Sequence, residues 1–377
     1  MLKVLLAGGG TAGHINPALA IAEIIKEHRP DAEFAFAGNP QKLEATIIPK
    51  AGYRFEGIKV EGIQRSLSPE NIKKNIHALG CLMMTGPRAK EIIKDFKPDL
   101  VVGTGGYVSG PVLRKAQQMG IPTALHEANA FAGVTTKLLS KKANAIMLTV
   151  KETKNLDPSV MSKVTVTGLP VRKAFDAMSK DEAKAKLGFD KGEVCVLSCG
   201  GSLGSETINN SVLALLKWYQ DNGVVVNHIH SYGTYQGYKD FPERAGALGI
   251  DTENDKRRLI SDYINMPVCM AAADLVISRC GASTLIELEA MGRGAVLIPS
   301  PHVAENHQYH NGMVLERAGA GKVIEEKDLT DELFIDTVSK LISDRAKLEE
   351  LGEKCASLYI KDTNERIWGV LEKLIST

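Results

Sequence analysis

Four times in this chain of 377 residues a short apolar run breaks directly into a glycine-rich turn and then into a segment of helical spacing. The turns are Gly8-Gly9-Gly10-Thr11-Ala12-Gly13, Gly103-Thr104-Gly105-Gly106, Gly200-Gly201-Ser202-Leu203-Gly204-Ser205 and Cys280-Gly281-Ala282-Ser283. Glycine permits positive φ and lets backbone N–H groups approach an anion closely. The helix start behind each turn adds unpaired donors and a partial positive charge, which suits phosphate. A single turn of this kind is equally well explained as a tight βα connection without a ligand. Four of them, two in each half, point to two phosphorylated groups bound from opposite sides of one cleft.

The units between the turns fit the same frame. Lys3–Ala7, Glu33–Ala37, Leu100–Val102, Pro122–Leu125 and Ala145–Thr149 read as strands. A second series follows at Val194–Ser198, Val224–Ile229, Asp274–Ser278, Ala295–Pro299 and Lys322–Ile324, with helical patterns between. Repeated βα units predict an α/β chain with parallel sheets covered on both faces. Two series of similar length predict two doubly wound, Rossmann-like domains. The Gly/Pro punctuation at Thr167-Gly168-Leu169-Pro170 predicts a joint, giving domains of 1–168 and 169–359. The first helix is expected to open at Asn16-Pro17, as N-cap and first helical residue.

Charge separates the halves. Lys and Arg total 46 against 45 Asp and Glu, but residues 1–168 carry 22 against 14, and residues 169–377 carry 24 against 31. A net +8 beside a net −7 points to a charged partner for the first half. Other features exclude functions. No apolar run reaches the ~18 residues of a membrane span. The opening run turns to glycine too early for a secretory signal. Six cysteines without a Cys-x-x-Cys pair read as reduced, buried thiols, and no clustered Cys/His set suggests zinc. Aromatic content of 5% is too low for a nucleic-acid stacking platform. Gly8, Gly10 and Gly13 satisfy G-x-G-x-x-G, yet Phe36-Ala37-Gly38-Asn39-Pro40 lacks the acid that a dinucleotide site places after its second strand. No Gly-Lys-Ser/Thr follows any turn, which disfavours ATP hydrolysis.

Gly9–His14, Gly103–Pro111, Leu125–Asn129, Pro170–Arg172, Gly200–Gly204, Arg279–Glu287 and Gln308–Asn311 together resemble, in order and spacing, the MurG family of lipid-linked N-acetylglucosaminyltransferases, glycosyltransferase family 28. The resemblance spans essentially the whole chain. It implies a GT-B fold: an N-terminal acceptor domain, a C-terminal UDP-GlcNAc domain, and a last helix, about 360–377, crossing back to the first. The implied reaction is inverting transfer of GlcNAc to the C4 hydroxyl of MurNAc in lipid I, giving lipid II, at the cytoplasmic face of the cell membrane. The implied partners are UDP-GlcNAc, lipid I and other cell-wall synthesis proteins, with no cofactor, no required metal and no nucleic acid. Another UDP-GlcNAc enzyme of the same fold, such as a 2-epimerase, and a non-catalytic nucleotide-sugar-binding protein are the competing readings.

His14, just behind the first glycine turn, is the best-placed general base, because a helix N-terminus disfavours imidazolium and keeps the ring able to accept a proton. Glu127 is its carboxylate rival, with a cap as the structural alternative. Gly10, Gly105, Gly106, Tyr107 and Ser109 resemble the family's acceptor-diphosphate contacts. Arg172 is placed to meet the charge on departing UDP. By resemblance, Ser202 belongs to the donor diphosphate loop and Ile264 reads uracil. Ala282, Ser283, Thr284 and Leu285 line the same pocket, and Glu287 accepts the ribose hydroxyls. Gln308 and Asn311 select GlcNAc hydroxyls, with Thr11, Ala12, Gly13 and Asn129 meeting the donor from the first domain. Four positions depart from the family pattern: Ala12 for Gly, Leu203 for Gln, Leu169 for Asn and His307 for Gln. Finally, Ile72, Ile76, Leu79 and Met83 fall on one helical face, beside Leu82 and Met84, and are flanked by Lys73, Lys74, Arg88 and Lys90, with Lys141-Lys142 in the same half. By itself this pattern favours a core helix with a solvated edge; the lipid-linked acceptor that the resemblance implies turns the expectation to region 72–90 lying on an anionic membrane surface.

Overall fold

The computed structural model describes residues 1–60, 85–171, 175, 178–252 and 254–375. The apolar part of the expected membrane face (Ile72, Ile76, Leu79, Leu82, Met83, Met84), with Lys73 and Lys74, lies outside the described residues, as does Arg172. Two compact units are present: Met1–Pro170 with Ile360–Thr377, and Val171–Tyr359.

Unit 1 runs β1 (Lys3–Gly8), α1 (Ala12–His28), β2 (Glu33–Gly38), α2 (Glu44–Lys50), β3 (Arg54–Gly57), α3 (85–96), β4 (Leu100–Gly105), α4 (Ser109–Gln118), β5 (Thr123–Glu127), α5 (Val134–Ser140), β6 (Ala145–Leu148) and β7 (Val164–Val166). Its seven strands form one parallel sheet, ordered β3-β2-β1-β4-β5-β6-β7. Successive residues of a strand face opposite layers. Leu5 and Ala7 join the core with Val112 and Leu113, while Val4 and Leu6 join the other with Ile21 and Ile25. Burial on both faces is why these strands read as unbroken apolar runs. The C-terminal helix α14 (Thr363–Ile375) belongs to this second layer. There Ile367 and Leu371 are fully buried, worth about 2 kcal/mol each, and Trp368 stacks on His28 with ring centroids 4.5 Å apart.

Unit 2 repeats the scheme with α6 (Lys180–Lys186), β8 (Cys195–Cys199), α7 (Glu206–Asp221), β9 (Asn227–Ser231), α8 (Phe241–Ala247), β10 (Arg258–Ser261), α9 (Met266–Ala272), β11 (Leu275–Ser278), α10 (Ala282–Met291), β12 (Gly294–Leu297), α11 (His307–Arg317), β13 (Gly321–Val323), α12 (Asp331–Ile342) and α13 (Arg345–Ala356). Its six parallel strands are ordered β10-β9-β8-β11-β12-β13. Counted within each unit, both sheets follow the order 3-2-1-4-5-6, with a seventh strand added at the end in unit 1, so each has a switch point, between β1 and β4 or between β8 and β11. The four glycine turns follow these four strands.

Two expectations need correction. Helix α1 begins at Ala12 with Thr11 as N-cap, one turn before Asn16-Pro17. The Thr11 carbonyl accepts the N–H groups of His14 and Ile15 and closes the turn early. Pro17 then sits inside the helix and costs it one bond, to the Gly13 carbonyl. Strands β3, β7 and β10 have no counterpart in the sequence reading. All three lie at sheet edges, where half-exposed faces leave no apolar run to see.

Candidate active site

In unit 1 the first two glycine turns touch, because β1 and β4 pair and bring Gly8 opposite Gly105. A Cβ on Gly106 would lie 2.2 Å from the Gly9 carbonyl oxygen, and one on Gly105 2.6 Å from His14 Nδ1. Glycine is required at both, and both have φ near the left-handed range, +80° and +105°. His14 is the third residue of α1 and half-buried. Its Nδ1 lies 3.0 Å from the Thr104 carbonyl, while the Thr104 hydroxyl donates to the His14 carbonyl at 2.7 Å. A carbonyl only accepts, so Nδ1 carries the hydrogen, and in the neutral ring Nε2 is the basic nitrogen.

Glu127 ends β5, buried. Its Oε1 accepts from the N–H and the side-chain amide of Asn129, both at 3.1 Å, and its Oε2 from the Gly133 N–H at 3.1 Å and the Thr136 hydroxyl at 2.6 Å. Four donors match the four acceptor sites of a carboxylate, so Glu127 organises the loop before α5. Ser109 is also buried, its hydroxyl directed at the Ala7 and Gly105 carbonyls at 2.5 and 2.7 Å. That geometry braces the turn. Tyr107 beside it is 63% exposed, and Thr11 and Ala12 are exposed at the start of α1, with Gly13 half-buried.

One residue at these turns went unremarked in the sequence. The Glu44 carboxylate, fully buried, accepts the Gly10 N–H at 3.0 Å and the Asn39 N–H at 2.9 Å. The Gly10 N–H therefore points to protein. A dinucleotide site would carry its acid at the end of β2, near position 38; here the carboxylate comes from the first turn of α2, six residues on.

In unit 2, Gly201 and Gly204 take φ of +91° and +89°. The exposed Ser202 offers its carbonyl to the Thr234 N–H and hydroxyl, both at 3.0 Å. Ser205 caps α7 through the Ile208 N–H and receives Arg279 Nη2 at 2.6 Å. Arg279 also donates to the Ile298 carbonyl at 3.2 Å and pairs with Glu326 at 2.5 Å. Glu287 lies on α10, half-buried, and approaches the same turn. Burial, and after it the Glu287 carboxylate, push the thiol of Cys199 up to about 11. Ala282, Ser283 and Thr284 form the half-exposed first turn of α10, with Leu285 buried behind them. Gln308 and Asn311 grip the backbone of one residue, Cys280. Gln308 Oε1 accepts the Cys280 N–H at 3.3 Å and the Ser300 N–H at 2.9 Å, and Asn311 donates to the Cys280 carbonyl at 3.1 Å. Ile264 is buried in the loop after β10. All these positions lie at or beyond the carboxyl ends of the strands, where α/β sheets bind ligands. Among the described residues, no three His, Cys, Asp or Glu side chains converge as metal ligands would.

Residues 4–148 match the glycosyltransferase family 28 N-terminal domain and residues 194–367 the family 28 C-terminal domain. A protein of Acetivibrio thermocellus named UDP-N-acetylglucosamine--N-acetylmuramyl-(pentapeptide) pyrophosphoryl-undecaprenol N-acetylglucosamine transferase is 42% identical over 376 residues, covering 99% of this chain and 98% of its own. A protein of the same name from Desulfitobacterium hafniense is 40% identical, covering 97% of each. The crystal structure of Acinetobacter baumannii MurG matches with a TM-score of 0.75 at 25% identity, over 99% of this chain and all of its own. The chain belongs to glycosyltransferase family 28, with the two Rossmann-like parallel sheets of the GT-B class.

Proposed function

We propose that the protein transfers GlcNAc from UDP-GlcNAc to the C4 hydroxyl of the MurNAc unit of lipid I, with inversion, forming lipid II. The MurNAc oxygen attacks the anomeric carbon of GlcNAc as the bond from that carbon to the β-phosphate oxygen breaks. His14 Nε2 takes the hydroxyl proton, and UDP leaves with the bonding pair. The observation that carries the base assignment is the Nδ1–H bond from His14 to the Thr104 carbonyl, which fixes the tautomer. Placement in the first turn of α1 works in the same direction, since the positive end of a helix disfavours imidazolium. The first unit takes the lipid acceptor and the second takes the nucleotide sugar at the Gly200–Ser205 turn. Glu287 receives the ribose hydroxyls, and Gln308 and Asn311 shape the sugar pocket by fixing the Cys280 backbone.

Attachment is peripheral, on the cytoplasmic face, through the basic and apolar 72–90 region. Among the described residues no helix is long and apolar enough to cross a membrane. Each Lys or Arg near an anionic surface contributes about 1 kcal/mol. Flotation with anionic vesicles but not with neutral ones supports this reading, and indifference to lipid charge overturns it. The deciding activity test is UDP release from UDP-GlcNAc with and without a lipid I analogue. Release that depends on the acceptor is expected; acceptor-independent turnover to ManNAc would make the protein an epimerase.

A further inference from the structure

We infer that Glu44 is a positioning residue for the transfer: its buried carboxylate sets the first glycine turn and, through that turn, the start of the helix that carries His14. The carboxylate has no solvent exposure, and its two oxygens divide between two loops, Oε2 taking the Gly10 N–H and Oε1 the Asn39 N–H. The fit around it is tight on both sides. A Cβ on Gly9 would fall 2.3 Å from Glu44 Oε1, and one on Gly38 2.5 Å from its Cγ. Asn39 is itself fixed, donating to the Val60 carbonyl at 2.7 Å and accepting the Gln41 N–H at 3.0 Å. The anchor is thus rigid from behind. Gly10 has φ +87° and open space at its Cβ position, so the Glu44 bond supplies a restraint that packing does not. Thr11 follows at once as the N-cap whose side chain makes no cap bond, and His14 comes three residues later.

A second consequence concerns ligand choice. The acid occupies the space at the end of β2 where a dinucleotide fold would receive a ribose, and it turns the Gly10 N–H away from any phosphate. Thr11 and Ala12 beside it stay exposed.

The inference rests on the transferase reading, and the test separates the two. Wild type is assayed first for acceptor-dependent UDP release; without it the transferase reading itself fails. In Glu44→Gln the side-chain volume is kept, while one acceptor oxygen becomes an amide that faces an N–H. The expected result is a folded protein whose KM for UDP-GlcNAc and affinity for UDP stay within about twofold, with kcat at least ~10-fold lower, as loss of reactant alignment brings. A merely structural role would move UDP affinity and thermal midpoint together with kcat. That joint loss, or a folded variant with kcat within about twofold of wild type, overturns the inference. If Glu44→Gln fails to fold, Gly9→Ala takes its place, since its Cβ displaces Oε1 and leaves the carboxyl chemically intact. The same kcat loss at unchanged donor KM is expected, and full kcat in that variant is equally fatal.

Discussion

The two units share a strand order yet brace their first glycine turns with opposite charge. In unit 1 the brace is the Glu44 carboxylate on the Gly10 N–H. In unit 2 it is the Arg279 guanidinium on Ser205, partly balanced by Glu326, together with the Thr234 hydroxyl donating to the Ser202 carbonyl. Both turns end in a helix N-terminus suited to an anion, so topology alone does not distinguish them. The group underneath does. Under the proposed function, the cation below the Gly200–Ser205 turn suits a nucleotide diphosphate, whereas the anion below the Gly8–Gly13 turn fixes backbone and leaves the helix start and His14 as the proposed working parts. The net charges run the other way, +8 for residues 1–168 and −7 for 169–377. Under the proposed function, global charge relates to the surface a half would meet, and the local brace to the ligand it would hold.

The largest expected effect removes the working part of unit 1. His14→Ala should lower kcat by ~10²–10⁴-fold, the range of general-base catalysis, with KM for UDP-GlcNAc nearly unchanged. Steady-state kinetics at saturating acceptor decide it, and near-normal kcat would sink the base assignment. Gly105→Ala asks whether position suffices, because the new Cβ would sit 2.6 Å from His14 Nδ1 at a φ of +105°. The ring must move, and kcat should fall ~100-fold with the imidazole still present. Should kcat hold in a folded variant, the Thr104 anchor is unnecessary.

The third change leaves unit 1 alone. Gly204 has φ +89°, and a Cβ there would lie 2.1 Å from the Tyr232 carbonyl oxygen. Gly204→Ala should open the donor turn, raising KM for UDP-GlcNAc by ~10-fold while kcat at saturating donor survives; each tenfold step corresponds to about 1.4 kcal/mol of binding. Isothermal titration with UDP gives the same answer without turnover. A variant that loses kcat instead, at normal UDP affinity, would erase the division of labour between the turns.

How much of this was legible in the sequence depends on what kind of signal each feature leaves. The inner strands, buried on both faces, announce themselves as apolar runs, and Leu100–Val102 or Ala145–Thr149 needed nothing more. The edge strands Arg54–Gly57, Val164–Val166 and Arg258–Ser261 bury little and left no run to read. The glycine turns were visible because a left-handed φ has a residue signature. Their bracing was not: Glu44 and Arg279 act on residues 34 and 74 positions away in sequence, and nothing local distinguishes a buried carboxylate from a solvated one in a first helical turn. Gln308 and Asn311 stood out by motif, yet their grip on the Cys280 backbone is a tertiary fact.

The smallest expected effect concerns the cores beneath the turns. Under the unit 2 turn, Ser198 lies between two buried imidazoles, 2.7 Å from His228 Nε2 and 2.8 Å from His230 Nδ1. Burial holds both rings neutral. His230 falls to about 3, and His228 drops well below its usual value, helped by His230 and the Arg258 charge. Among the described residues unit 1 has one counterpart, His126, donating to the Gly168 carbonyl at 3.0 Å and likewise lowered by burial. With folded values depressed, the unfolded chain alone takes up protons below about pH 6.5, so stability falls as pH drops from there and is restored above it. Two such groups against one should cost unit 2 about 1 kcal/mol more per pH unit. The two tryptophans separate the units, Trp218 on α7 and Trp368 on α14. In Trp368→Phe and Trp218→Phe variants, the urea midpoint reported by Trp218 should fall further between pH 7.5 and 5.5 than that reported by Trp368. Equal shifts would mean that the buried histidines do not distinguish the units, and that acid acts through carboxylates common to both.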